Sequence, residues 1–439
     1  MRKLLLVVLT LLSAVSFSLD RQPNADYRAR REALARKAGP NGMFLVFAGV
    51  EAEGPNAIYG FHQDENFFYL TGLTDPGGAV LIIPAMEKDG KPVHAYSEVL
   101  LLPPHNRTEE KWTGPKLGAD TPNVKEKTGF DQVMSLDQIH DALNQFGPQQ
   151  FINLFVNQSP EADRAIEWLR RTNAFPGFVR TDDAGPKIAE LRSIKDAGEA
   201  ALIKKAMEAS VAGHLAAMKA MKPGATEHQI AALMEYEYEK RGCERPAYAS
   251  IVGSGFNSTV LHYSAGAKVI QDGDIVVLDV AGEYSGYASD ITRTLPANGH
   301  FTPRQREIYD IVLGAQQAAI NAFKSGKSTL AGTGENSLQR VAYEYINTHG
   351  KDQNGLPLGQ YFIHGLGHRV GLNVHDPGPR DNALGPGEVF TIEPGIYIPE
   401  ESLGVRIEDT FWVDPSGNLV NLSGALPHAA EDVEKAMKK

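Results

Sequence analysis

Apolar and polar positions follow two rhythms along this chain, and the change of rhythm divides it. From Tyr27 to Ala38 a charged stretch predicts a helix, and Met43 to Val50 is an apolar run of strand length. Asn66 to Pro84 reads as strand, turn and strand, with Asp75-Pro76-Gly77-Gly78 as the turn. Strands and helices then alternate to Phe155, and Ser159 to Arg171 predicts a further helix. Residues 20 to about 180 thus form an α/β domain. Thr181 to Pro186 is polar, holds Gly and Pro, and is the best linker candidate. Beyond it, Asp196-Ala197-Gly198-Glu199 fits a capping box, and its helix ends at Lys222-Pro223-Gly224. Thr226 to Gln229 repeats the signal for a helix that stops near Gly242. Residues 248–300 are strand-rich, 301–323 and 336–349 are helical, and strands with Gly/Pro loops return from Tyr361 to Val413.

The most informative stretch is Ile275 to Thr294, which reads as a hairpin turning at Ser285-Gly286. That turn pairs Tyr284 with Tyr287 and Ala281 with Asp290. Asp279 and Asp290 then share a face as diagonal neighbours, roughly 7–8 Å apart at the backbone. Asp279 also interrupts an apolar run. A buried bare carboxylate needs a cation, a partner or a proton. Metal ions gripped between the two aspartates are one solution; two surface acids on a hairpin are the plain alternative.

Composition adds limits. The 439 residues suffice for two domains, and 42% hydrophobic with 22% charged residues is ordinary globular composition. The formal net charge of −11, with no Lys/Arg-rich block, argues against nucleic acid. Arg2-Lys3, the apolar run Leu4 to Leu12 and small residues at 14–18 predict an export signal over residues 1–18. The run is shorter than the about 20 residues of a membrane span, so a cleaved protein in the periplasm or outside the cell, without stable membrane insertion, is expected. Cys243 is the single cysteine, so no internal disulfide forms and a structural role is expected for it.

Further candidate chemistry lies C-terminal to the hairpin. His364, His368 and His375 fall within twelve residues and are spaced by glycines, which argue against one regular helix and allow close backbone packing. Each histidine alone could be a hydrogen-bonded loop residue; all three together point to a site. Glu393 ends the apolar run Val389 to Ile392. In Gly404 to Asp409, alternation puts Arg406 and Glu408 on one strand face, and a solvated face is the plain reading of that pair alone. Asp279, Asp290, His368, Glu393 and Glu408 make an oxygen-rich set that suits two divalent first-row ions better than a thiolate site would. Such ions, about 3.5–4 Å apart, lower the pKa of a water between them.

These stretches resemble the pita-bread metallopeptidases, in the Xaa-Pro aminopeptidase (aminopeptidase P) and prolidase branch. The resemblance rests on IVGSG (251–255), LHY (261–263), LDVAGEYSGYASDITRT (278–294), HGLGHRVGLNVHD (364–376), TIEPGIYI (391–398) and GVRIED (404–409). Residues 63–84 and the stretch around Trp112 resemble the N-terminal domain of the same branch. It implies an α/β N-terminal domain over 20–180 followed by an α+β pita-bread catalytic domain over 187–425. It implies that Asp279 binds one ion, that Asp290 and Glu408 bridge two, and that His368 and Glu393 complete the second. A bridging hydroxide would attack the peptide bond before proline, with Glu393 handling its proton. His262 and His375 would contact substrate and oxyanion. Arg406, counted with the catalytic groups, would shape the proline pocket with His364 and Tyr397. Trp112 would reach the substrate site of a neighbouring subunit in a dimer or tetramer. Manganese is the metal implied first, with zinc or cobalt as alternatives.

Three functions follow. The first is an aminopeptidase acting on peptides with proline at the second position. The second is a prolidase, which shares the metal site but takes only dipeptides. The third is a non-catalytic relative, against which stand five ligand-competent residues at the five ligand positions. The short, proline-rich loop after His375-Asp376 leaves open which other arginines face substrate.

Overall fold

The computed structural model describes residues 20–39, 41–51, 60–88, 91–146, 152–174, 179–379 and 382–438. The expected export signal and part of the proline-rich loop lie outside the described residues. No described helix is long and apolar enough to cross a membrane.

The N-terminal half is built on a six-stranded mixed sheet. Its centre is Gly42–Phe47, antiparallel to Ala79–Ile83 and parallel to Ile152–Val156. All six residues of Gly42–Phe47 are buried, because both faces of the sheet are covered. Met43, Leu45 and Phe47 pack on one side, with Leu143 and Leu169 of flanking helices. Phe44 and Val46 pack on the other, in a cluster that also takes Leu202, Tyr287, Val370 and Val389 from the second half. One apolar core therefore joins the two halves.

Two sequence expectations fail here. Asn66 to Thr71 is not a strand but part of the helix Glu65–Thr71. The Asp64 carboxylate accepts from the Phe67 N–H at 2.8 Å and Gly72 stops the helix at φ 64°. Phe67, Leu70 and Thr71 are buried at helical spacing, and Tyr69 is buried beside them. The aromatic run looked like a strand because burial, not propensity, decides such short segments. Nor is Thr181 to Pro186 a free linker. Val179–Asp183 is the edge strand of the N-terminal sheet, parallel to Ile152–Val156. Pro186 lies in the first turn of the helix Gly185–Arg192, where its missing N–H costs nothing.

The capping boxes form as expected. Asp196 and Glu199 satisfy each other's N–H groups at 2.8 and 3.0 Å and start the helix Ala197–Ala220. Thr226 and Gln229 do the same for Glu227–Glu239. Glu199 is also buried at the junction of the halves, where the Tyr287 hydroxyl donates to it at 3.1 Å. Burial pushes its carboxyl up to about 7 from an ordinary 4.5, against the pull of Arg30. The folded group thus keeps its proton where the unfolded one has lost it, so stability falls as pH rises between those values. Glu199→Gln keeps the cap and removes the titration. Urea unfolding at about pH 8 should show the variant more stable by about 3 kcal/mol, with the difference gone below about pH 4.

Cys243 is buried, and burial pushes its thiol up to about 12, which agrees with a structural role.

The second half packs its helices against small antiparallel sheets. The expected hairpin keeps its register but splits. Ile275–Asp279 pairs with Thr292–Pro296, setting Asp279 opposite Thr292. The tip, Gly282–Tyr284 with Tyr287–Ala288, joins a different sheet through Arg245–Pro246. Tyr284 faces Tyr287, and Ser285 and Gly286 take positive φ at the turn, as the two-residue loop requires. Between the two ladders the backbone diverges, and Asp290 lies in that gap.

Candidate active site

The acid and imidazole residues arrive from separate elements and meet in one cavity of about 550 Å³. Asp279 ends its strand and Asp290 lies just before Thr292–Pro296. The Glu408 N–H donates to the Thr292 carbonyl at 3.1 Å, laying the 403–408 segment along that strand. Glu393 follows Val389–Ile392, and its N–H donates to Leu366 at 2.8 Å. Thr391 likewise donates to His368, so the histidine loop is stitched to this strand. A side chain at Gly367 would meet the Thr391 carbonyl at 2.1 Å, so only glycine allows that approach, whereas Gly365 has open space.

All five expected ligand residues line the cavity, with His262, His364, His375, Tyr397 and Arg406. Ligand atoms of Asp290, His368 and Glu408 lie within 4.8 Å of one another. His368 Nε2 is 3.2 Å from both Asp290 and Glu393. Arg406 donates to Asp279 at 2.7 Å and to the Tyr397 hydroxyl at 2.9 Å, and His364 Nε2 is 2.9 Å from the same hydroxyl. The expected proline-pocket trio is thus one hydrogen-bonded chain. His375 packs on His368, ring centroids 4.1 Å apart. Trp112 is not brought to this cavity: it sits on a short helical turn of the N-terminal half, 88% exposed.

The electrostatics show an acid-rich pocket. Burial pushes Asp290 up to about 6, with Asp279 and Glu393 adding and His368 opposing. Burial together with Asp290, Glu393 and Asp279 drives Glu408 well above the ordinary carboxylate range. Burial also works against charge on His368, but its bonds to Asp290 and Glu393 hold the imidazole well above its usual value. Burial raises Glu393, yet His368 overcomes this and holds it below the usual value. Burial lowers both His364 and His375, which stay neutral. Four carboxylates here face one arginine and two imidazoles close enough to pair, His368 and, 3.9 Å from Glu393, His364. This donor set fits divalent cations, which would take over the charge that His368 now balances.

Three supporting residues are absent from the expected site. The Tyr248 hydroxyl donates to Asp279 at 2.6 Å, the Thr292 hydroxyl to Glu408 at 2.6 Å, and the Thr391 hydroxyl to Glu393 at 3.0 Å. Their only sequence signal is a hydroxyl one or two positions from a ligand along a strand, which Thr292 and Thr391 meet and Tyr248 does not.

Residues 201–415 match the model of Metallopeptidase family M24, and residues 27–152 match Aminopeptidase P, N-terminal domain. The chain is similar to the Xaa-Pro aminopeptidase of Escherichia coli strain K12, 33% identical over 94% of this chain and 97% of that protein. It is also similar to the Xaa-Pro dipeptidase of Pyrococcus furiosus, 34% identical over 80% of this chain and 89% of that protein. Among solved structures it superposes on zinc-substituted Escherichia coli aminopeptidase P in complex with product, with TM-score 0.82 and 32% identity, covering 95% of this chain and 99% of that one. The chain belongs to metallopeptidase family M24, a hydrolase of pita-bread fold that carries the aminopeptidase P N-terminal domain ahead of its catalytic domain.

Proposed function

We propose that this protein is an Xaa-Pro aminopeptidase with a dinuclear metal site, releasing the N-terminal residue of peptides whose second residue is proline. The observation that carries this reading is the single cavity in which five ligand-type side chains, two further histidines and the His364–Tyr397–Arg406 chain converge. Asp279 would hold one ion, Asp290 and Glu408 both, and His368 and Glu393 the second. Two divalent ions, with manganese the first choice for an oxygen-rich set, offset four carboxylates better than one does. Bound there, they supply Lewis acidity and a water acidified toward neutral pH.

The chain's own residues do the rest. Glu393, braced by Thr391, takes the proton of the attacking water and returns it to the proline nitrogen as the C–N bond breaks. His262 and His375 donate to the oxyanion that forms on the carbonyl. Proline has no N–H and a fixed φ, so it is recognised by shape, and the Tyr397 ring beside His364 offers an aromatic wall for it. The N-terminal signal supports export of this activity; an intact Met1 on protein from its own host contradicts export.

The likeness to the Pyrococcus furiosus relative favours a dipeptidase reading. The likeness to the Escherichia coli aminopeptidase covers more of this chain, 94% against 80%, and residues 27–152 match the aminopeptidase P N-terminal domain. Metal-loaded protein should therefore show higher kcat/KM on Gly-Pro-Pro and longer Xaa-Pro peptides than on Gly-Pro. A strong preference for Gly-Pro moves the assignment to dipeptidase, and no cleavage of either removes the proposal.

A further inference from the structure

Next to His375 in sequence, and outside the cavity, is a carboxylate that the mechanism does not use. Asp376 is buried, its side chain 1% exposed, and it accepts from two equally hidden cations. Arg192 Nη2 donates to one oxygen at 2.6 Å and Lys195 Nζ to the other at 2.9 Å. Both cations come from the segment joining the two halves. The first oxygen also accepts from the Asn373 N–H at 3.2 Å, which closes the loop carrying His375 onto its own end. The loop is pinned again where the Asp376 N–H donates to Arg369 and the Ala288 N–H to Gly371, each at 2.8 Å. A side chain at Gly371 would meet an Asp376 oxygen at 2.4 Å, so the packing leaves no slack.

The network continues into the N-terminal half. Arg192 Nη1 donates to the Asn66 side chain at 2.8 Å, and Asn373 donates to Glu65 at 2.8 Å. Both acceptors lie on the helix Glu65–Thr71. A buried ion cluster is a poor device for stability, since apolar packing of equal volume serves as well or better. What these charge-assisted hydrogen bonds supply is one fixed geometry.

We propose that Asp376 is the positioning residue for His375: held by Arg192 and Lys195, it fixes the backbone that aims the histidine at the substrate, and through Asn66 and Glu65 it ties that aim to the N-terminal domain. This rests on the oxyanion role given to His375 above. An N-terminal domain that looks like a mere appendage thereby takes part in catalysis within its own chain.

The test is a double-mutant cycle on the metal-loaded full chain, with Asp376→Asn, His375→Ala and the pair, assayed on an Xaa-Pro-Yaa tripeptide. Asp376→Asn should lower kcat about 100-fold, the scale of a 1 Å misplacement, with KM and bound metal unchanged. In the His375→Ala background the same substitution should cost less than about two-fold. Equal losses in both backgrounds, or a loss explained by missing metal, overturn the positioning role alone. A His375→Ala chain with undiminished kcat overturns it together with the role given to His375. Should Asp376→Asn fail to fold, Asn66→Ala removes only the far end of the network. It should lower kcat several-fold in the parent and not in His375→Ala, and equal effects overturn the proposal.

Discussion

Glu408→Ala is expected to abolish peptidase activity, and Asp290→Ala to do the same. Each carboxylate is buried, and together with His368 their ligand atoms fall within one ion's reach. Burial and mutual repulsion hold both above the ordinary carboxylate range, the mark of acids packed to be offset by cations. On the proposed dinuclear reading each would bridge the two ions, so removing it would impair both positions. The loss should therefore exceed the about 10–100-fold typical of losing an outer-shell partner. Metal analysis of the purified variant should show less than two ions per chain. Circular dichroism should remain that of the parent, because the core beneath the site is apolar and does not depend on Glu408. Thr292→Val gives the graded comparison: it removes the hydroxyl that donates to Glu408 and accepts from Arg406 at 3.3 Å, and should cost activity without emptying the site.

The second large effect belongs to His375. His375→Ala should lower kcat by about 10²–10³-fold, the scale of losing one oxyanion donor, and leave KM nearly unchanged. Its ring touches His368 yet lies outside the close ligand cluster, so the metals should stay. Burial keeps the imidazole neutral, which lets it donate a hydrogen bond without bringing a competing charge to the metal ligands. A raised KM at constant kcat would instead mark a ground-state contact.

Much of the candidate site was legible in the chain because Asp279, Asp290, Glu393 and Glu408 lie in or within two residues of short strands. A two-residue turn sets register, so Ser285-Gly286 alone placed Tyr284 against Tyr287 and Asp279 near Asp290. Alternation put Arg406 and Glu408 on one face, and both line the cavity. The split of the hairpin was not legible, since it depends on Arg245–Pro246 pairing with the tip. Asn66 to Thr71 was misread because an apolar run of that length suits a strand as well as a helix. Thr181 to Pro186 was misread because Gly-Pro marks a helix start as readily as a loop. The Asp376 network was invisible: its two cationic partners are more than 180 residues away, and no local pattern announces such a pair. Trp112 stays an expectation about a neighbouring subunit, since within its own chain it is exposed and does not line the cavity.

The measurement that bears most directly on the whole account is a metal titration of chelator-stripped protein, followed by hydrolysis of an Xaa-Pro-Yaa tripeptide. Activity should be absent without metal, rise with added manganese and level off at two equivalents per chain, while a matched Xaa-Ala-Yaa peptide stays uncut. Full activity in the stripped protein, or equal cleavage of both peptides, would contradict the account.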